Sequence, residues 1–239
     1  MEITIAVDGE EIGGYLAEPD PRLHGPGPWP AVVILHDIVG LSDDDRVIAD
    51  RFAQAGYLAV LPDLYSRGGA LRCIRSTMKA LRAGQGQVFR DVEATRLMLE
   101  ERRDCTGRIG VVGFCMSGGF ALLMAARGFD ASAPYYGEVP SDESVLDGAC
   151  PVVASFGGRD PAPGMKGAAA RLESALTARG VEHDVKEYPR SGHSFANRYD
   201  GAPLLRVLRI GYRHDDSEDA WRRVLAFFAT HLTGATERS

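Results

Sequence analysis

Three residues able to act together in covalent catalysis stand in this chain where apolar runs break into small-residue turns. They are Cys115 in Gly113-Phe-Cys-Met-Ser-Gly-Gly, Asp160 in Phe156-Gly-Gly-Arg-Asp-Pro and His193 in Tyr188-Pro-Arg-Ser-Gly-His-Ser-Phe. Sulfur is a polarizable nucleophile, but a thiol with the ordinary pKa of about 8.5 holds little thiolate at pH 7, so a histidine must take or share its proton. An aspartate then fixes the imidazole tautomer and stabilises the imidazolium. Gly113 and Ser117, two positions either side of Cys115, keep bulk away from a tight bend between strand and helix, the setting that lifts a nucleophile above a sheet. The backbone supplies the remaining part. Met116 N–H at the start of the helix, with Ile38 N–H after the apolar run 31–36, would meet the oxyanion of a tetrahedral intermediate.

Taken singly, each residue has an ordinary structural explanation. Cysteine without a disulfide is often simply buried, aspartate before proline is a common turn residue, and a lone histidine is more often structural. Ser117 offers a second small-x-Ser-x-Gly pattern, Cys115-x-Ser117-x-Gly119, but it falls inside the first helical turn instead of at the strand end. What carries the reading is the order along the chain, nucleophile then acid then base, with every member following a strand.

Those strands and helices can be traced by period. Residues 31–36, 57–61, 109–113, 133–136, 152–156 and 183–188 are short β-rich apolar runs, several of the continuous kind that belongs in a sheet covered on both faces. Between them lie helical patterns. One starts at Ser42-Asp-Asp-Asp, with a capping box and an acidic first turn; it carries Ile48, Phe52 and Ala55 on one face and stops at Gly56. Others carry Val88, Val92, Thr95 and Leu99, run from Cys115 to about residue 127, or cover roughly 164–179. A last one starts near Ser217 with Trp221, Val224, Leu225, Phe228 and Leu232 inward, and the Pro/Gly-rich stretch 19–30 reads as a loop between early strands and the sheet. Alternation of this kind predicts a three-layer α/β fold, with a mostly parallel sheet and the chemistry on loops at the strands' C-terminal ends.

With 239 residues, 45% hydrophobic and 25% charged, and no repeat or long linker, the chain is expected to form one domain over residues 1–239. A net charge of -6 with scattered basic residues argues against a nucleic-acid partner. No basic leader or bilayer-length apolar run is present, so a cytoplasmic protein bound to no membrane is expected. The four cysteines, at positions 73, 105, 115 and 150, lack disulfide-framework or zinc spacing, and a reducing compartment would keep Cys115 unoxidised.

In these blocks, together with His36-Asp-Ile-Val-Gly-Leu and Leu61-Pro-Asp-Leu-Tyr-Ser-Arg, the chain resembles the dienelactone hydrolase family of α/β-hydrolases. The resemblance runs in order through residues 31–195. It implies an α/β-hydrolase fold, a Cys-Asp-His triad of Cys115, Asp160 and His193, no metal and no cofactor. The implied reaction is hydrolysis of an enol-lactone or similar ester, giving maleylacetate when dienelactone is the substrate. Members usually place a glutamate that regulates the thiol where this chain has Asp37, one methylene shorter. Those acting on dienelactone hold its carboxylate with arginines, one of them four residues after the catalytic histidine, where this chain has Asn197 followed by Arg198. Arg67, Arg72, Arg75 and Arg198 are the remaining candidates to grip an anionic small-molecule substrate, against the ordinary expectation that arginines on a helix form a solvated face.

Alternatives stay open beside a lactone or ester hydrolase. They are a promiscuous small-acyl esterase or thioesterase, a non-catalytic carboxylate-binding or redox-sensing protein on the same fold, and a cysteine peptidase.

Overall fold

The computed structural model describes residues 1–198 and 211–233, apart from the side chains of residues 70–72. Two strands, β1 (Glu2–Val7) and β2 (Glu10–Ala17), form an antiparallel hairpin closed by Asp8-Gly9, both at positive φ as a two-residue hairpin turn requires. The rest alternates: β3 (Trp29–Leu35), α2 (Asp43–Gln54), β4 (Leu58–Pro62), α3 (Ala70–Ala83), α4 (Gln87–Glu100), β5 (Cys105–Phe114), α5 (Met116–Met124), β6 (Ala131–Tyr135), β7 (Val152–Gly157), α6 (Ala168–Ala178), β8 (His183–Tyr188) and α7 (His214–Leu232). A single-turn α1 (Pro21–His24) precedes β3.

All eight strands join one sheet in the order β1-β2-β4-β3-β5-β6-β7-β8. β1, β2 and β4 pair antiparallel, and every pair from β4 through β8 is parallel. In β3 and β4 every residue is buried, as a strand covered on both faces demands. Alternation then sorts the side chains. Ala31, Val33 and Leu35 face a core built with Val88, Phe89, Val92 and Leu99 of α4 and Phe120 of α5. Val32 and Ile34 face the opposite core with Ile48 and Phe52 of α2 and Val224 and Phe228 of α7. α6 closes the far end of the sheet over Val152, Ala154 and Phe156 of β7. The three layers are thus α2 and α7, the sheet, and α4, α5 and α6.

This topology also decides where a site can form. The chain leaves β3 toward β4 on one side and returns to β5 on the other, so the crossovers part between the C-terminal ends of β3 and β5, and a crevice opens there. The segments 36–38 and 115–117 border it.

Several boundaries differ from the sequence expectation. β3 starts at Trp29 and takes in Pro30, because the residues before Ala31 pair with the start of β5 across an irregularity in register. β5 begins at Cys105 rather than 109, and β6 is shifted back to Ala131–Tyr135. α5 ends at Met124, short of 127, and α6 is confined to Ala168–Ala178. α7 starts at His214, which puts Asp215 and Asp216 in its positive first turn. The capping box of α2 forms as expected: Ser42 Oγ accepts from Asp45 N–H at 3.3 Å and the Asp45 carboxylate accepts from Ser42 N–H at 2.9 Å. Among the described residues no helix is long and apolar enough to cross a membrane.

Around the β5–α5 junction, backbones touch. A Cβ on Gly113 would lie 1.9 Å from the Ser117 carbonyl oxygen, one on Gly118 would lie 2.5 Å from the Tyr135 oxygen, and one on Gly137 would lie 2.2 Å from the Gly118 carbonyl carbon. None of these three neighbours is a flexible side-chain end that could swing away. Gly113→Ala and Gly137→Ala are each expected to cost about 3 kcal/mol in urea unfolding at unchanged m-value. A loss below about 1 kcal/mol in both would mean that the first turn of α5 can shift.

Candidate active site

β5 passes into α5 with a single residue between them, Cys115, at φ 56 and ψ -119. A side chain other than glycine is strained there by roughly 1–3 kcal/mol, so the surroundings must hold it. They do so through backbone: Cys115 N–H donates to Tyr135 O at 3.1 Å, and Gly118 N–H donates to Cys115 O at 3.0 Å. Cys115 is left half-buried at the crevice. Met116, the first residue of α5, has no carbonyl one turn back within the helix to receive its N–H.

Asp160 and His193 come from adjacent parallel strands that end in register at Gly157 and Tyr188. Beyond the ladder the two loops stay laced, Gly158 N–H donating to Tyr188 O at 2.9 Å and Arg159 N–H to Ser191 O at 2.8 Å. Asp160 is nearly sealed from solvent; Oδ1 accepts from Ala162 N–H at 2.8 Å and Oδ2 accepts from His193 Nδ1–H at 2.6 Å. Because the carboxylate can only accept, Nδ1 carries the proton and Nε2 faces Cys115 Sγ at 3.0 Å. Cys115, His193 and Asp160 therefore form one hydrogen-bonded row. Burial pulls the His193 pKa down, but the bonds to Asp160 and Cys115 and their charges outweigh it and push it up to about 10.

The β3 side of the crevice is braced by His36 and Tyr65, which the sequence reading did not single out, beside Asp37 and Ser117, which it did. His36 is fully buried; its Nδ1 donates to Asp37 O at 2.8 Å and its Nε2 accepts from Leu64 N–H at 3.1 Å, so it is the neutral Nδ1–H tautomer. Burial also pushes its pKa down. Tyr65 Oη donates to Ile38 O at 3.2 Å. Burial, followed by the charges of Asp37, Cys73 and Cys115, pushes the Tyr65 phenol up to about 12, which places it in the same field as the thiol. Asp37 is buried, with Oδ1 accepting from Val39 N–H at 2.8 Å. Ser117 donates its hydroxyl to His36 O, so its proton is committed to a carbonyl and not to a base.

On the far side, Tyr136 sits at φ 38 with its ring 5.2 Å from that of His193. Its hydroxyl donates to Asn197 Oδ1. Asn197 Nδ2 and Arg198 N–H both donate to Asp44 Oδ2, at 3.1 and 3.0 Å. Burial pushes the Asp44 pKa up and those two donors draw it back. The loop carrying His193 is thus moored to the first turn of α2. Tyr136 obeys the rule that exposed Cys115, a polar residue just past a parallel strand; nothing in the sequence distinguishes Asp44 from its capping neighbours.

The three candidate arginines with described side chains do not converge on the row. Arg67 binds both Asp91 oxygens through Nη1, at 2.8 and 2.9 Å, and Glu10 through Nε at 2.7 Å; Asp91 is almost wholly buried. Arg198 stacks on Tyr212, 4.5 Å from the ring centroid, and donates to its hydroxyl at 3.0 Å. Arg75 is exposed on α3, beside Ile74, Met78 and Lys79, with no polar contact to Cys115, His193 or Asp160. The Arg72 side chain lies outside the described residues.

The sequence profile of the Dienelactone hydrolase family matches residues 12–232. A Yersinia pestis protein named "Putative carboxymethylenebutenolidase" is 27% identical over 254 residues, covering 98% of this chain and 89% of its own. A crystal structure from Klebsiella pneumoniae, described as a "Putative Dienelactone Hydrolase", superposes with a TM-score of 0.78 at 24% identity over 96% of this chain and 98% of that one. A dienelactone hydrolase-like promiscuous phosphotriesterase from metagenomic libraries superposes with a TM-score of 0.76 at 18% identity, covering 97% and 98%.

A histidine raised from 6.5 to about 10 keeps a proton in the folded state that the unfolded chain has already released. Its contribution to stability is complete below about pH 6.5 and is lost as pH climbs through about 10. NMR titration of the His193 ring should give a midpoint near 10, falling in Asp160→Asn together with the pH at which stability declines. A wild-type midpoint near 6.5 would show that the row does not hold the proton.

Proposed function

The chain belongs to the dienelactone hydrolase family, and on that premise we propose that it hydrolyses an enol-lactone or small carboxylic ester through a thioacyl enzyme on Cys115. One observation supports this above all: Sγ lies 3.0 Å from His193 Nε2 while Nδ1 is bonded to Asp160 at 2.6 Å. With the His193 pKa pushed up to about 10, the proton shared by the pair rests on Nε2, and the sulfur attacks the carbonyl carbon as the thiolate. Met116 N–H and Ile38 N–H receive the oxyanion, and a single such donor is commonly worth roughly 2.7–4 kcal/mol of barrier. Collapse breaks the C–O bond and the imidazolium protonates the departing oxygen; from an enol-lactone this is an enol, which becomes the ketone. Water then attacks the thioester with His193 as base, releasing the acid and restoring the pair. With dienelactone as substrate the product is maleylacetate.

Asp37 enters as the thiol-regulating acid. Its side chain is held by Val39 N–H and the thiol lies against His193 instead, so in this reading the resting sulfur is already beside its base. A specific observation favours neutral esters over an anionic lactone. Asn197, in the position where dienelactone-acting members have an arginine, is occupied by Tyr136 and Asp44, and Arg67 is tied to Asp91 and Glu10. All four cysteines are unpaired, and a half-buried nucleophilic thiol calls for a reducing compartment, in keeping with the cytoplasm.

Iodoacetamide treatment and Cys115→Ala should each lower kcat for an aryl acetate by at least about 10³-fold, with Asp160→Asn losing about 10²–10⁴-fold and keeping the wild-type fold by circular dichroism. Full activity in the alkylated protein would reject the thioacyl route. Comparing kcat/KM for dienelactone and for a neutral aryl acetate, we expect the neutral ester to be turned over at least as well.

A further inference from the structure

The two proposed oxyanion donors belong to different segments, and the sheet does not hold those segments together. β3 and β5 are laddered only as far as Leu35 and Gly113. Ile38 N–H lies three residues beyond the end of β3, and Met116 N–H follows the strained elbow two residues after the end of β5. An oxyanion hole works because its donors are fixed before the charge develops, so something past the ladder must set their spacing.

We propose that Ser117 and His36 are the positioning residues that set it: the Ser117 hydroxyl, donating to His36 O, clamps the first turn of α5 to the segment that carries Ile38. This rests on the reading of Met116 and Ile38 as the donors. Both partners are fully buried, so no water competes for the bond. The chain from one donor to the other is short. Met116 adjoins Ser117, the hydroxyl reaches His36 O, and Ile38 is two residues on. His36 then anchors its own segment to the β4–α3 connection, accepting Leu64 N–H through Nε2 while Nδ1 steadies the Asp37 carbonyl. Tyr65, from the same connection, holds Ile38 O. A carbonyl bonded at both 37 and 38 leaves the peptide planes little freedom to rotate, and the direction of the Ile38 N–H is set by the plane between 37 and 38. Ser117, which reads as a rival nucleophile in the sequence, acts here through the backbone.

The role separates from that of Cys115 because two reactions at the same sulfur make different demands. Acyl transfer and hemithioketal formation generate an oxyanion; alkylation by iodoacetamide displaces iodide and generates none. In Ser117→Ala, kcat for an aryl acetate should fall on the order of tenfold with KM within about twofold, a fraction of what loss of a whole donor costs. The inhibition constant of an aryl trifluoromethyl ketone should weaken by a similar factor, while the rate of Cys115 alkylation stays within about twofold of wild type. His36→Gln, whose amide oxygen can still accept Leu64 N–H, should stay closer to wild type in kcat than His36→Leu, which leaves that N–H buried without a partner. Unchanged kcat and inhibitor affinity in Ser117→Ala would overturn the clamp. So would a parallel fall in alkylation and turnover, which would place Ser117 in support of the thiol or of folding at large. If instead alkylated wild type stays active, the Cys115 reading fails first and the clamp falls with it.

Discussion

Where β5 turns into α5, three glycines let backbone rest directly on backbone, and the residue between strand and helix is held at positive φ by bonds from its own N–H and C=O. Everything functional is referred to that bend. It brings Sγ to the crevice between β3 and β5, starts a helix there with its N–H groups foremost, and presses Gly118 against the loop that follows β6, where Tyr136 departs toward His193. A looser junction would relieve the strain at Cys115 and scatter all three. Backbone strain persists only where its surroundings over-determine it, and here they consist of peptide groups that no rotamer change can move aside.

The row from Sγ to Asp160 is built in a different manner. Asp160 and His193 stand on neighbouring strands of equal length, and cross-bonds continue past the end of the ladder, so their separation follows from sheet register. Cys115 follows β5, which β6 separates from β7 and β6 and β7 together from β8. The 3.0 Å contact between Nε2 and Sγ therefore reaches across two intervening strands, with Tyr136 packed beside the imidazole and Asn197 and Arg198 moored to Asp44. Mutual hydrogen bonding is also why the imidazole holds its proton so firmly despite being buried.

This division explains what could be read from the residues alone. Continuous apolar runs such as 31–35 and 58–61, a capping box at Ser42 and small-residue turns after strands are local signals, and they located the central strands, α2 and the three members of the row. Strand ends were less legible: β5 begins four residues before its apolar run, because Cys105 pairs with Trp29 through backbone that carries no pattern. The braces were not legible at all. Ser117 to His36 joins residues 81 apart and Asn197 to Asp44 joins residues 153 apart, and no spacing rule links serine to a carbonyl or asparagine to one aspartate among three in a row. Arg67 looked available for a substrate until the fold placed Asp91 beneath it.

β8 is one of the two edge strands, with alternate stretches open to solvent and a hydrogen-bonded neighbour on one side only, whereas most of β5 is covered on both faces and it is flanked on both edges. From outside the strand ladder β8 is held by α6, whose core Val185 joins, and by Arg223 of α7, whose guanidinium reaches Asp184 O at 2.9 Å. Local opening begins where few buried contacts oppose it, so amide protons along β8 are expected to exchange with solvent before those of β5. The sulfur is thus set into the interior of the sheet, and the imidazole 3.0 Å from it hangs from an edge.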